Sequence, residues 1–282
     1  MEPLTFFGVV FTASVVAGAL GALLGLGGGV IIVPLLALMA GLNIHYAIGA
    51  SIVSVIATSS GAAATYVRDR ITNLRLGMFL EIATTTGAVA GALVAGILPG
   101  RVLSVVFGRV LGHAAWTMAR SPQEKVPGGA PGSRLATRLR LHGAYYDPAS
   151  GHRVEYQVRG VPQGFAMMWL AGVISGLLGI GSGVFKVIAM DLMMGVPLKV
   201  STTTSNFMIG VTAAASAGIY FLRGDISPFI AAPVALGILL GTVAGTRLLL
   251  RLRGATIQRI FLVVLVVVAI QMIWRGIEGT VR

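Results

Sequence analysis

The stretch GLGGG at residues 25–29 occurs a second time, as GIGSG at residues 179–183. Each copy interrupts a long apolar stretch in which a helix would otherwise continue. Because each glycine costs roughly 1 kcal/mol in a helix interior, such clusters predict broken helices. Broken backbone at membrane depth is tolerated only where protein or a polar cavity satisfies its N–H and C=O groups. Matched breaks in two halves of a membrane protein indicate a substrate site between them.

The composition of the chain is that of a membrane protein. Of its 282 residues, 56% are hydrophobic and 11% are charged, and the mean hydropathy is +0.89, whereas soluble domains carry about 25% charged residues. Cysteine is absent, which excludes disulfides and thiol chemistry. Stretches close to the ~20 apolar residues of a spanning helix lie at residues 4–24, 47–67, 76–98, 226–246 and 256–274.

The net charge of +12 does not predict a nucleic-acid partner. Most of the basic residues lie in loops or at the ends of apolar segments. The cytoplasmic loops of membrane proteins have this bias toward lysine and arginine. The positive charge therefore agrees with a multi-pass protein of the cell membrane.

The two halves of the chain repeat one pattern. A shift of 154 residues pairs Gly25 with Gly179 and Gly29 with Gly183. The same shift brings Ser51 onto Ser205. Repetition of this kind predicts homologous transmembrane halves, at residues 1–119 and 164–282, separated by a connector at residues 120–163.

The connector differs in composition from both halves. Its first part is rich in Pro and Gly, as in a linker. Further on, Val154, Tyr156 and Val158 alternate with charged and polar residues, which predicts a short β-hairpin. The connector is also basic, which places it in the cytoplasm. A plain solvated connector is the preferred interpretation, and a regulatory or partner-binding role is the alternative.

The short apolar pieces that follow the breaks, residues 30–40 and 184–195, determine the orientation of the halves. If they cross the membrane, each half has five segments and the halves are inverted. If they re-enter, each half has four spans, the halves run parallel, and the arginines at residues 247–259 lie opposite the connector. The positive-inside rule favours inversion. The predicted fold is an all-α polytopic membrane protein with eight to ten membrane segments, broken half-helices and a small β-hairpin insert.

Several stretches of the chain resemble the TauE/SafE family of membrane anion exporters, also called sulfite exporters. They are the paired GLGGG and GIGSG breaks, KVIAM at residues 186–190 with GVP at 195–197, STTTSNFMIG at 201–210, and RLHGAYYDP at 140–148. The resemblance covers nearly the whole chain. It implies passive or proton-coupled movement of small oxidised-sulfur anions, such as sulfite, sulfonates or sulfoacetate, across the bacterial plasma membrane. One departure within the repeat is Ser182, where the first copy has Gly28.

Exposed amides at helix starts bind anions, because unpaired N–H groups and the helix dipole both favour negative charge. Glycines let the backbone approach a ligand closely, although tight helix packing is an alternative role for them. Serine, threonine and asparagine can hydrogen-bond an oxyanion, and they also serve helix packing in membranes. The predicted substrate-binding residues are Gly25, Gly27, Gly28, Gly29, Ser51, Gly179, Gly181, Ser182, Gly183, Lys186, Thr203, Ser205 and Asn206.

Lys186 is the most distinctive single residue of this set. It lies in a hydrophobic stretch, where a charge is costly and usually functional, and Ile32 occupies its place in the first half. We expect it to attract or bind the anion; the alternatives are a structural pair with Asp191 or snorkelling to the interface. Glu81 is a candidate proton-coupling carboxylate, with an interfacial location as its alternative, and Asp191 is a second candidate.

The leading hypothesis is a transporter, most simply an exporter, of a small anion by alternating access. An anion channel, and a transporter of another anion such as a carboxylate or sulfate, are the alternatives. A membrane scaffold acting through the basic connector is the alternative of another class. An enzyme is not expected, because no nucleophile–base pair, metal-binding motif or cofactor motif is visible. The expected partners are the anion, the bilayer and protons, and the sequence allows a homodimer without specifying one.

Overall fold

The computed structural model describes residues 3–24, 28–39, 41–68, 71–120, 132–147, 152–249 and 254–278, and these are mainly helical. The first half contains α1 (Pro3–Leu24), α2 (Gly29–Pro34), α3 (Ile44–Arg68), α4 (Leu74–Ile97) and α5 (Gly100–Arg120). The connector contributes α6 (Arg134–Arg138), β1 (Gly143–Asp147) and β2 (His152–Tyr156). The second half contains α7 (Val161–Leu178), α8 (Gly183–Ile188), α9 (Leu198–Leu222), α10 (Pro228–Leu249) and α11 (Gly254–Glu278). One π-helical turn follows α2 at Leu35–Met39, and another follows α8 at Ala189–Met193.

Three of the described helices contain stretches long and apolar enough to cross a membrane: Leu74–Ile97, Val161–Leu178 and Lys199–Leu222. Shorter apolar helical stretches lie at Phe6–Gly21, Gly29–Leu38, Ile44–Ser60 and Pro228–Val243. The five spans expected from the sequence coincide, within a few residues at each end, with α1, α3, α4, α10 and α11. Large apolar side chains such as Ile97 and Leu222 are more than four-fifths exposed on the outside of the bundle. This is the surface that a membrane protein presents to lipid.

Glycines bring helices of the two halves into close parallel pairs. A Cβ at Gly172 or Gly176 of α7 would collide with the backbone of α4, at Thr84 and Ala88 respectively. In the same way, a Cβ at Gly241 of α10 would collide with the backbone of α1. Small residues permit such approach between membrane helices. Each pair therefore joins one helix of the first half to one helix of the second.

Helices at equivalent places in the two halves pack antiparallel to each other. Gly49, near the start of α3, lies against Asp225, just after the end of α9, while Gly210 within α9 lies against Ser59. The pair α5 and α11 behaves likewise, since Gly108 faces Ala269 whereas Gly276 faces Arg101. The two halves thus approach one another with opposite chain directions at both places.

Each short helix returns to the side on which its half begins. In the second half, the amide of Arg159, just before α7, donates to the carbonyl of Met194, just after the π-helical turn, at 3.0 Å. Helix α7 ends beside Gly91, whereas α4 continues to Ile97. In the first half, Phe6 of α1 stacks on Phe229 of α10 with ring centroids 6.2 Å apart, so these two helices start at the same level. Helix α3, which follows the short piece, begins at that level too, because Gly49 lies against Asp225, just before α10. We call residues 29–39 and 183–193 the first and second re-entrant segments, because each runs back toward the side on which its half begins.

The connector is packed against the membrane helices. Its strands β1 and β2 form the expected antiparallel hairpin, with Tyr145 opposite Val154. Leu141, Tyr156 and Val158 are buried in an apolar cluster with residues of α4, α9 and the second re-entrant segment. Sequence alternation predicts which face of the hairpin is apolar, and the structure shows that this face is covered by the helices, while most other described residues of the connector are exposed or half-exposed.

Asn73 ties the connector to two helices. Its Oδ1 accepts a hydrogen bond from the Leu76 backbone amide at 3.0 Å and so caps α4. The Asn73 backbone amide donates to Thr204 Oγ1 of α9 at 3.1 Å. Its side-chain amide donates to the Tyr156 hydroxyl at 2.8 Å and to the Leu141 carbonyl at 2.9 Å. Burial raises the pKa of Tyr156, and the hydrogen bond from Asn73 lowers it by less, so that the pKa is about 12. The hydroxyl thus stays neutral at physiological pH, and this junction does not depend on pH through Tyr156.

We expect Asn73→Ala to lower the thermal stability of the purified protein. The variant loses a helix cap worth about 1 kcal/mol and two side-chain bonds to the connector worth about 1 kcal/mol each. Asn43→Ala is the matched control, because the exposed Asn43 caps α3 by accepting from the amide of His45 at 3.0 Å but, within the described residues, has no hydrogen bond to the connector. Melting curves in detergent should show a clearly larger drop for Asn73→Ala. Equal shifts would contradict the docking role of Asn73.

Candidate functional site

The two helix breaks touch each other between α3 and α9. A Cβ on Gly29 would lie 2.6 Å from Ser51 Oγ and 2.9 Å from the carbonyl oxygen of Gly179. The Ser51 hydroxyl donates to that carbonyl at 2.7 Å, so the first half satisfies a backbone acceptor of the second break. The predicted residues Gly25 and Gly27 lie outside the described residues. The expected meeting of the two breaks is therefore seen at Gly29, Ser51 and Gly179.

The second break has a left-handed backbone. Gly179, Gly181 and Ser182 have φ angles of +66°, +72° and +49°. A left-handed conformation costs roughly 1–2 kcal/mol in a residue with a Cβ, so Ser182 is strained. Its hydroxyl is buried and has no hydrogen-bond partner within the described residues. Gly28, its equivalent in the first half, has a φ of −60°, so the two breaks differ in conformation where they differ in sequence.

Aliphatic side chains close the space around the second break. Ile48 and Ile52 of α3 pack against Gly179, while Val55 of α3 and Ile209 of α9 pack against Gly181. All four are buried in the main apolar cluster of the protein. Among the described residues, the contact between the breaks is thus closed by aliphatic packing.

The predicted hydroxyl groups are engaged by backbone carbonyls. Ser205 Oγ donates to Gly183 O at 3.2 Å, and Thr203 Oγ1 lies 3.1 Å from the carbonyl oxygens of Lys199 and Val200. Because a hydroxyl has a single hydrogen, these groups and Ser51 are not free donors in this conformation. Asn206 differs from them, since its side chain is buried and forms no hydrogen bond with the described residues. Its amide donors remain available to a ligand.

Lys186 belongs to a buried polar network that joins three helices. Its side chain is 0% exposed, and Nζ donates to Thr212 Oγ1 of α9 at 2.6 Å. Thr212 Oγ1 lies 2.6 Å from Oε1 of Glu81 on α4. The same Glu81 oxygen accepts a hydrogen bond from Thr85 Oγ1 at 3.2 Å. Glu81 is itself only 8% exposed. The network thus brings a cation and a carboxylate from different halves to the two sides of one hydroxyl.

These positions remove the alternatives left open for both charges. Burial excludes snorkelling of either side chain to the surface of the bundle. The structural pair between Lys186 and Asp191 is not formed by the described residues, because Asp191 lies half-buried in the π-helical turn while Lys186 points to Thr212. Sequence reasoning did not select Thr212, Thr84 or Thr85 for the site. One sequence feature could have indicated Thr212: the shift of 154 residues pairs it with Thr58, and both lie in largely apolar stretches.

A family model described as Sulfite exporter TauE/SafE matches residues 10–272 of the chain, which include both breaks and the polar network. The chain belongs to the TauE/SafE family. The resemblance drawn from the sequence motifs is thereby confirmed, and the protein is a membrane transporter of this family.

Relatives of this TauE/SafE protein are named for membrane transport. The protein is 25% identical over 278 residues (96% of its chain, 98% of the relative) to the probable membrane transporter protein YunE of Bacillus subtilis (strain 168). It is 26% identical over 269 residues (94% of each chain) to a probable membrane transporter protein of Xylella fastidiosa (strain 9a5c). It is 23% identical over 277 residues (97% and 95%) to ORF9 of Sinorhizobium sp, another probable membrane transporter protein. No solved structure matches the chain significantly.

Proposed function

We propose that this TauE/SafE protein exports a small oxidised-sulfur anion, such as sulfite or an organosulfonate, across the bacterial plasma membrane by alternating access. The observation that carries the proposal is a fully buried lysine that lies one helical turn beyond a helix break. The break that it follows touches the break of the other half. The substrate class comes from the description of the family.

The anion would bind between the breaks and the polar network. Lys186 supplies a full positive charge, and Asn206 supplies unused amide donors. In the helical segment of residues 183–193, the first N–H groups have no partner within the helix, so they are further donors. Ser51, Thr203 and Ser205 would have to turn from their carbonyls to join them. The closed contact at Gly29 and Gly179 would then be the barrier that opens toward one side at a time.

We also propose that the two halves are inverted repeats, with the basic connector in the cytoplasm. The antiparallel packing of α3 on α9 and of α5 on α11 supports this. Re-entry agrees with inversion if α1 pairs with α2, and α7 with α8, so that each pair enters and leaves the membrane on one side. The crossing helices are then α3, α4 and α5 in the first half and α9, α10 and α11 in the second. An odd number of crossings reverses the second half. The basic charge of the connector gives its side by the positive-inside rule.

We propose that this transport is coupled to protons. Glu81 is the stronger candidate for the coupling carboxylate, because it is buried and linked to Lys186 through Thr212. Asp191 is the second candidate, since it lies half-buried in the segment that carries Lys186. Flux that rises linearly with anion concentration would favour the channel alternative instead, because a carrier saturates.

A thermal-stabilisation screen tests the proposal and its substrate class. A ligand that binds only the folded protein stabilises it by about 2.7 kcal/mol at one hundred times its Kd. We expect sulfite or methanesulfonate to raise the melting temperature of the detergent-purified protein, with sodium chloride at equal ionic strength as the control. The stabilising anion should also show saturable uptake into proteoliposomes. If no anion of a panel of sulfite, thiosulfate, sulfate, sulfonates and carboxylates stabilised the protein, the proposed function would be wrong.

A further inference from the structure

The two oxygens of Glu81 have different surroundings. Oε1 lies 2.6 Å from Thr212 Oγ1 and 3.2 Å from Thr85 Oγ1. Oε2 is buried and has no hydrogen-bond partner within the described residues. A buried polar atom without a partner is costly and requires an explanation. The unpaired oxygen is a position to which a proton can add without disturbing the bonds at Oε1.

Thr212 holds the two buried charges on either side of its hydroxyl. The hydroxyl accepts from Lys186 at 2.6 Å and lies at the same distance from Glu81 Oε1, which is a nearer acceptor for its hydrogen than the Met208 carbonyl at 2.9 Å. With Lys186 protonated and Glu81 ionised, the network has no net charge. An anion that takes the charge of Lys186 leaves a buried carboxylate uncompensated, which is strongly unfavourable. Protonation of Glu81 removes that penalty.

We propose that Glu81 and the transported anion are alternative partners of Lys186, and that Thr212 is the positioning residue for their exchange. When a monoanion binds to Lys186, one proton adds to Oε2 of Glu81; when the anion leaves, that proton is released. The network is neutral in both states only for a monoanion, such as hydrogensulfite or a sulfonate. A dianion would leave one buried negative charge. This inference rests on the proposed function and deepens it.

The charged groups around Glu81 leave Lys186 as its principal partner. Helix α9 presents Thr212, and α7, where it packs on the same part of α4, presents Gly172 beside Thr84. On α4 itself, Arg75 is exposed near the helix start, and on the second re-entrant segment Asp191 is half-buried. Of the charged groups in the described segments packed around Glu81, Lys186 is the one hydrogen-bonded to its network.

Proton uptake during anion binding tests this exchange. Methanesulfonate is the probe, because it remains a monoanion across the working pH range. Calorimetry of the wild-type protein in buffers of different ionisation enthalpy should show uptake of about one proton per bound anion, the linkage expected for one titrating group. At a pH low enough to keep Lys186 protonated in the absence of the anion, Glu81→Gln should bind methanesulfonate with no proton uptake. Sulfate should stabilise the wild-type protein at least tenfold more weakly than methanesulfonate, by apparent Kd.

Thr212 has its own pair of variants. Thr212→Val should reduce the proton uptake, and Thr212→Ser should restore it, whereas a merely structural threonine would change stability and leave the proton count unchanged. Binding of methanesulfonate by the wild type without proton uptake would overturn the inference and leave the proposed function standing, as would full uptake in Glu81→Gln at a pH where Lys186 is protonated before binding. If the wild-type protein bound no anion of the panel, the proposed function and this inference would both be wrong.

Discussion

A Gly29→Val variant is expected to transport anions about 100-fold more slowly than the wild type, the order of loss that follows when a site is displaced by about 1 Å. A Cβ on Gly29 would lie 2.6 Å from Ser51 Oγ, 2.7 Å from Val55 Cγ2 and 2.9 Å from Gly179 O. The last of these is backbone of the opposite break, which cannot turn away as a side chain can. The two breaks would therefore be pushed apart at their contact.

The matched control for this variant is Gly218→Val. Gly218 lies on an exposed face of α9, and a Cβ there would meet no atom of the described residues within 4 Å. Initial rates in proteoliposomes should be close to the wild type for Gly218→Val and nearly lost for Gly29→Val. Gly28→Leu is expected to be less severe, because the atom nearest to its Cβ would be the movable side-chain tip of Ile238, at 2.5 Å, and the nearest described backbone atom, Ala17 O, lies 3.8 Å away. Wild-type transport by a folded Gly29→Val protein would refute the role given to the contact.

Lys186→Met is expected to abolish transport and also to destabilise the protein. Methionine has a similar length without the charge, so Glu81 would remain as a buried carboxylate without a cation. Removal of one partner from a buried charge pair typically costs about 3–5 kcal/mol. Melting temperature and proteoliposome uptake of the same preparation measure the two effects.

The double variant Lys186→Met/Glu81→Gln separates stability from function. Removing both charges together should recover most of the lost stability, because neither charge is then left uncompensated. Transport should stay absent, since the positive charge that binds the anion is gone. Transport at the wild-type rate in the double variant would show that the Lys186 charge serves only to neutralise Glu81.

The sequence predicts those features of this protein that depend on local spacing. Clustered glycines at residues 25–29 and 179–183 indicate broken helices because the penalty acts residue by residue. Alternation around Val154 and Tyr156 likewise indicates a hairpin. These local rules place the spans, the connector and the candidate breaks along the chain.

Contacts that depend on helix packing could not be predicted in this way. The partner of Lys186 is Thr212, 26 residues further on, and the carboxylate beyond it is 131 residues from that threonine. Which hydroxyl meets which charge depends on how α4, α8 and α9 are rotated against one another. The docking of the connector and the re-entry of the short helices also depend on tertiary packing. The proposed inversion depends on packing too, because it requires α1 and α7 to belong to re-entrant pairs, whereas the sequence counts them as spans.

The glycine-packed pairs α1 with α10 and α4 with α7 limit how the protein can move. Each pair contains one helix from each half, and the backbones touch where a methyl group would not fit. A rigid-body rotation of one half against the other would have to separate the helices of both pairs. Conformational change is easier if each glycine-packed pair moves as one rigid unit and the helices slide only at the antiparallel contacts of α3 with α9 and of α5 with α11. The rigid units then differ from the two halves that repeat in sequence.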